Sequence, residues 1–170
     1  DDNVVLASMN SNNDLDLYDN NIYLDDFVEL ANSFHCEYFT EDSFCRMINE
    51  NFMNDLLFMS LNLQSLAAKY INLTNFFDFL NISSIKPDFF VFQECWKISK
   101  DCFNIPGYNL FHHSRESRNG GGVGCYVKSE YVCKVIENDR FFVENVFESL
   151  VLNVEIPNVR SCIVVSLYRP

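Results

Sequence analysis

Two polar residues stand where chemistry is easiest to place. Asn62 directly follows the apolar run Leu56–Leu61, and Glu94 comes two residues after a second apolar run, Asp88-Phe89-Phe90-Val91-Phe92. Between them, Ser65 can cap a helix whose apolar residues Leu66, Tyr70, Leu73, Phe76, Phe77 and Leu80 recur at steps of three and four. Pro87 then excludes helix. A strand–helix–strand crossover makes its two strands parallel. Asn62 and Glu94 should therefore emerge at one sheet edge, the carboxyl edge where open α/β sheets commonly place ligands. There, Glu94 could serve as a charged oxygen ligand for a hard cation, with Asn62 orienting a phosphate or a metal-bound water. Mg2+ suits the pair because it often takes only one or two carboxylates and fills its other positions with water and substrate phosphate. The same two residues also fit a plain loop acid and a turn amide, and the spacing alone leaves both readings standing.

Other polar clusters carry less. Gly120-Gly121-Gly122-Val123-Gly124 lacks the Gly-Lys-Ser/Thr ending and the following helix of a nucleotide cradle. It reads as a sharp entry into a strand, or as a place of close backbone approach. His112 and His113 are adjacent, so on a strand they point to opposite faces and form no chelating pair. Arg115–Asn119 reads as a solvated polar turn. Trp96 is expected to pack near the site, and no Ser or Cys has an identifiable partner base.

The elements that must hold these residues follow from the rest of the pattern. After the crossover, strands are expected at Tyr108–His112, Val123–Val127 and Tyr131–Ile136. Phe147–Ile156 and Ile163–Tyr168 form a further pair around Pro157-Asn158. Many strands with few helices indicate an α/β layered sandwich of mixed sheets. The apolar fraction of 48% and aromatic fraction of 15% over 170 residues fit one packed core.

Charge divides the chain. Residues 1–55 hold 13 Asp and Glu against the single base Arg46, whereas residues 56–170 hold 11 acids and 11 Lys and Arg. All of the net −12 therefore belongs to an acidic leader, read as mostly lacking regular structure over 1–26. Thr40-Glu41-Asp42-Ser43 could start a short helix with Thr40 as N-cap. The balanced remainder sets no electrostatic bar to a polyanion and shows no basic excess. Seven cysteines without a C-x-x-C pair argue for reduced intracellular thiols, against a disulfide framework or zinc finger. No apolar run reaches the roughly 18–20 residues of a membrane span, so no membrane partner is expected. A first residue other than Met reads as a fragment.

In order along the chain, Ser60-Leu61-Asn62-Leu63-Gln64-Ser65-Leu66, Lys86-Pro87-Asp88, Phe92-Gln93-Glu94-Cys95-Trp96, Gly107-Tyr108, the triple glycine and Ser166-Leu167-Tyr168-Arg169-Pro170 resemble the endonuclease/exonuclease/phosphatase superfamily. More narrowly, residues 55–170 are similar to the N-terminal part of the apurinic-type endonuclease domain of non-LTR (LINE-type) retrotransposons, with residues 1–54 as the leader. The resemblance implies a deoxyribonuclease-I-like four-layer α/β sandwich, truncated at its C-terminal half. It also implies Mg2+- (or Mn2+-) dependent nicking of DNA that leaves a 3′-hydroxyl for a downstream reverse transcriptase domain of the same polyprotein, acting in the nucleus after a cytoplasmic stage. Under it, Asn62 contacts phosphate and the metal network, Glu94 binds the metal, and Tyr168 hydrogen-bonds near the scissile phosphate. Arg169 and Pro170 are structural. The family's Gly-Asp-x-Asn and Ser-Asp-His motifs are not in the 170 residues, which implies little activity from this chain alone. Two alternatives stay open: a phosphoesterase of the same superfamily acting on an inositol phosphate, a lipid or abasic DNA, and a non-catalytic remnant or acidic interaction module using residues 1–55.

Overall fold

A computed structural model of the chain describes residues 5–8, 39–52, 55–98, 102–116, 120–136, 142–144, 146–157 and 161–169. The elements, in order, are β1 (Val5–Ser8), α1 (Glu41–Asn51), β2 (Leu57–Asn62), α2 (Leu66–Ile82), β3 (Phe89–Gln93), β4 (Tyr108–His113), β5 (Val123–Lys128), β6 (Val132–Val135), β7 (Phe142–Val143), β8 (Phe147–Glu155) and β9 (Cys162–Tyr168). The protein is mixed α/β, with two sheets and few helices.

The crossover forms as its sequence dictates. Ser65 Oγ accepts from Ala68 N at 3.2 Å to start α2, and Leu66, Leu73, Phe77 and Leu80 bury one face of that helix. Past Ile82 the chain turns through Ser84 in a left-handed conformation and meets Pro87, which forbids helix at the residue before it. β2 and β3 then pair in parallel, with Asn62 opposite Gln93. β2 runs one residue later than the apolar run Leu56–Leu61 indicated, so Asn62 is the last residue of the strand and not the one after it.

The first sheet has the order β1-β2-β3-β5-β4 and is antiparallel everywhere except at β2–β3. β3 is covered on both faces, which explains its unbroken apolar run. Phe90 and Phe92 face the helices, in a cluster with Met59, Leu73, Phe77 and Tyr126. Phe89 and Val91 face the second sheet, in a cluster with Val123, Cys125, Leu150, Leu152, Val154 and Val164. In the second sheet, β6 and β7 share one flank of β8 and β9 takes the other, all antiparallel. Its inward residues alternate with exposed Ile163, Val165 and Leu167 on the outer face of β9.

Two readings of the N-terminal region meet different outcomes. Thr40 does cap α1: its Oγ1 accepts from Ser43 N at 3.3 Å, and Glu41 and Asp42 place negative charge on the positive helix start. Phe44, Cys45 and Ile48 of α1 enter the same core cluster as α2, and Asn49 Nδ2 donates to Ser83 O at the far end of α2. By contrast, β1 falls in a stretch read as mostly lacking regular structure. The apolar run Val4-Val5-Leu6-Ala7 within acidic surroundings supplies the strand, which pairs antiparallel with β2. The rest of residues 1–38 lies outside the described residues.

Candidate functional site

The parallel ladder brings the carboxyl ends of β2 and β3 side by side, and three side chains meet there. Asn62 Nδ2 donates to Glu94 Oε1 at 2.9 Å, and the Tyr168 hydroxyl donates to the same oxygen at 3.0 Å. Asn62 Oδ1 accepts from Gln64 N at 3.2 Å, which holds the amide with its NH2 toward the carboxylate. Tyr168 ends β9. The second sheet is carried to this point by Ser166, whose hydroxyl donates to Phe92 O at 3.3 Å. The three residues proposed from sequence therefore share one carboxylate oxygen.

Their meeting depends on an irregular backbone. Phe90 and Phe92 point to the helices, so simple alternation would send Glu94 the same way, whereas Asn62 and Tyr168 lie on the inter-sheet side. Glu94 instead adopts a left-handed conformation, φ +53, and Trp96 another, φ +61. Gln64 and Ser65, in the facing loop, also have positive φ. Such conformations cost about 1–3 kcal/mol each in non-glycine residues and persist only where the surrounding structure over-determines them. Here both sides grip the segment. Leu63 N, Ser65 N and Leu66 N donate to the carbonyls of Gln93, Glu94 and Cys95 at 2.8–3.0 Å. On the other side, Cys95 N donates to Gly122 O at 3.4 Å and Trp96 N to Gly121 O at 2.9 Å.

The electrostatics suit a donor–acceptor site. Glu94 is half-buried, and among the described residues no hydrogen bond reaches its Oε2. Burial, and then the bond to Glu94 and its charge, raise the Tyr168 hydroxyl above its ordinary value, so at neutral pH it is a phenol that donates. Among the described residues no three His, Cys, Asp or Glu side chains converge to hold a metal. A cation here would have Glu94 as its charged ligand and Asn62 beside it, a donor set that fits Mg2+, which keeps several waters, and not a transition-metal cage. The Cys95 thiol is fully buried, and burial pushes it up to about 12, so it is no nucleophile. His112 sits 3.3 Å from Ser114 Oγ and His113 stacks on Phe142, both on β4. No described hydrogen bond links a histidine to the three site residues.

The triple glycine is architecture, as its composition indicated. Gly121 has φ +64, and a Cβ there would fall within the Arg115 guanidinium, while one at Gly122 would lie 2.7 Å from Cys95 Sγ. Arg115 itself corrects the sequence reading. It is no solvated turn residue: it is buried, 5% exposed, and its Nε donates to Glu148 Oε1 at 2.5 Å. Glu148, fully buried, accepts from Gly122 N through Oε2 at 2.6 Å. Both were missed in the sequence. The available signal was parity, because Glu148 shares the inward face of β8 with Leu150, Leu152 and Val154, and a carboxylate at such a position needs a buried partner. Trp96 is partly exposed beside the turn. Arg169 is exposed, and Pro170 lies outside the described residues.

The chain matches no protein-family model, no curated protein and no solved structure.

Proposed function

We propose that this chain is the N-terminal portion of a divalent-cation-dependent phosphodiester hydrolase of the endonuclease/exonuclease/phosphatase type. Within that class we favour a DNA endonuclease of LINE-type retrotransposons. Its nick would leave a 3′-hydroxyl for a reverse transcriptase domain of the same polyprotein, so its working partner is DNA and its place of action the nucleus. The observation that carries this reading is the convergence of Asn62 and Tyr168 on Glu94 Oε1, at 2.9 and 3.0 Å, at the carboxyl ends of two parallel strands.

Glu94 is the residue that would hold Mg2+ or Mn2+ directly, and Asn62, whose Oδ1 is engaged by Gln64 N, would orient a bound water or phosphate beside it through its NH2. The cation, when bound, supplies positive charge to a phosphodiester oxygen. Asn62, fixed through Gln64 N, presents an oriented amide. Tyr168 keeps its proton and offers a donor beside the carboxylate. The exposed apolar residues Ile163, Val165 and Leu167 support a fourth layer over the second sheet, as in a deoxyribonuclease-I-like four-layer sandwich. The 170 residues contain neither Gly-Asp-x-Asn nor Ser-Asp-His. On this reading they bind cation and phosphodiester but turn over several orders of magnitude below a complete site.

Supplying a C-terminal segment that carries both motifs should give Mg2+-dependent nicking of supercoiled plasmid, and Glu94→Ala should abolish it. Nicking that survives Glu94→Ala would overturn the assignment. Turnover of an inositol phosphate or a lipid without DNA cleavage would move it to another branch of the superfamily.

A further inference from the structure

The three site residues explain what the carboxylate touches. They do not explain what holds Glu94 and Trp96 in left-handed conformations that neither residue favours. The contacts behind the segment run in one direction. Glu148 Oε2 accepts from Gly122 N at 2.6 Å, Gly122 O accepts from Cys95 N at 3.4 Å, and Gly121 O accepts from Trp96 N at 2.9 Å. Arg115, bonded to Glu148 Oε1 at 2.5 Å, occupies the space that a side chain on Gly121 would need. The glycine turn is thus pinned from behind by a buried ion pair, and its carbonyls face the two residues that flank the kink.

We infer that Glu148 is a positioning residue: with Arg115 it fixes the Gly121-Gly122 turn, whose carbonyls hold Cys95 and Trp96 so that the Glu94 carboxylate is turned onto Asn62 and Tyr168. Glu148 is the ladder partner of Tyr168 across β8 and β9, but among the described residues no hydrogen bond joins its carboxylate to Asn62, Glu94 or Tyr168, and its described reach to Glu94 runs through the glycine turn. Three observations converge on this role. Glu148 is fully buried although charged. Its two oxygens are divided between the guanidinium and a turn amide. The turn it holds accepts from the amides of Cys95 and Trp96, while Leu63, Ser65 and Leu66 donate to the carbonyls of Gln93, Glu94 and Cys95 along the opposite edge of the segment. The cation-binding consequence rests on the function proposed above, whereas the backbone consequence does not.

The full chain carries a reporter in the right place, because Trp96 is its single tryptophan. Glu148→Gln should speed amide hydrogen exchange at Cys95 and Trp96 at least about tenfold and shift Trp96 emission. It should also weaken Mn2+ binding, read by electron paramagnetic resonance, by about 10–100-fold, the range for residues that orient metal ligands. Amides of the β3–β5 ladder should keep their protection. Gly121→Ala, which intrudes on Arg115 without removing a charge, should reproduce these changes and serves if Glu148→Gln does not fold. The double variant Arg115→Met, Glu148→Leu separates positioning from support: it should restore folding stability while leaving the Cys95 and Trp96 amides fast and Mn2+ weak. Wild-type exchange or wild-type Mn2+ affinity in that double variant would overturn the inference. If the wild-type chain binds no Mn2+, the functional reading fails, and the exchange measurements alone decide whether Glu148 positions the segment.

Discussion

The two ends of the β2–β3 pair each carry a carboxylate, and they are built on opposite terms. At the amino end, Asp88 is 4% exposed and fully engaged. It accepts from Leu57 N at 2.7 Å, from Lys128 Nζ at 2.7 Å and from the Tyr131 hydroxyl, while the Tyr108 hydroxyl donates to the neighbouring Pro87 O at 2.9 Å. At the carboxyl end, Glu94 is half-buried, strained in its backbone, and uses one oxygen for both described bonds. A buried acid with donors on both of its oxygens ties strands together, because its desolvated charge is met by three hydrogen bonds. Glu94 keeps an oxygen without a described bond and carries a left-handed backbone, the arrangement on which the proposed cation site rests. The contrast separates the structural carboxylate from the proposed functional one more sharply than burial alone.

Substitution at the two ends should divide stability from binding. Asp88→Ala strands a partly buried ammonium, a buried phenol and a backbone N–H, and should cost about 3 kcal/mol in urea unfolding. Equal stability in that variant would break the contrast outright. The next effect is one of pH. Burial, followed by the bond to Asp88, raises the Tyr131 hydroxyl, and burial likewise raises Tyr108. A phenol whose folded value lies above its ordinary 10.0 contributes stability that is complete below that pH and lost as pH climbs past it. The urea midpoint should therefore hold up to about pH 10, the ordinary phenol value, and fall steadily above it, and Tyr131→Phe should flatten the fall. An unchanged slope in Tyr131→Phe would place the alkaline loss elsewhere. The smallest effect belongs to the carboxyl end. Glu94→Gly removes two half-exposed hydrogen bonds but relieves a left-handed non-glycine residue, so stability should stay within about 1 kcal/mol of wild type. A loss as large as that of Asp88→Ala would make Glu94 a structural acid after all.

What could be read in advance was what local rules control. Ser65, the three- and four-residue apolar steps and Pro87 delimit the crossover, and parallel adjacency then obliges Asn62 and Glu94 to share an edge. Tyr168 came instead from the order of motifs. Nothing in the alternation of Cys162–Tyr168 says that its last residue reaches a carboxylate 74 positions earlier. The Arg115–Glu148 pair joins the loop after β4 to β8 across 33 residues; the parity of β8 marks Glu148 as inward but does not name its partner. Arg115 among polar neighbours therefore looked solvated. The left-handed turn at Glu94 was equally hidden, because it arises from bonds to two distant segments rather than from the Gln93-Glu94-Cys95-Trp96 sequence itself.

The most direct test of the central claim is Mg2+ binding to the 170-residue chain, followed by calorimetry and by Trp96 fluorescence, in wild type, Glu94→Gln and Tyr131→Phe. The account predicts one bound cation in wild type, a loss of at least about tenfold in affinity in Glu94→Gln, and wild-type affinity in Tyr131→Phe. Equal Mg2+ affinity in wild type and Glu94→Gln would contradict it.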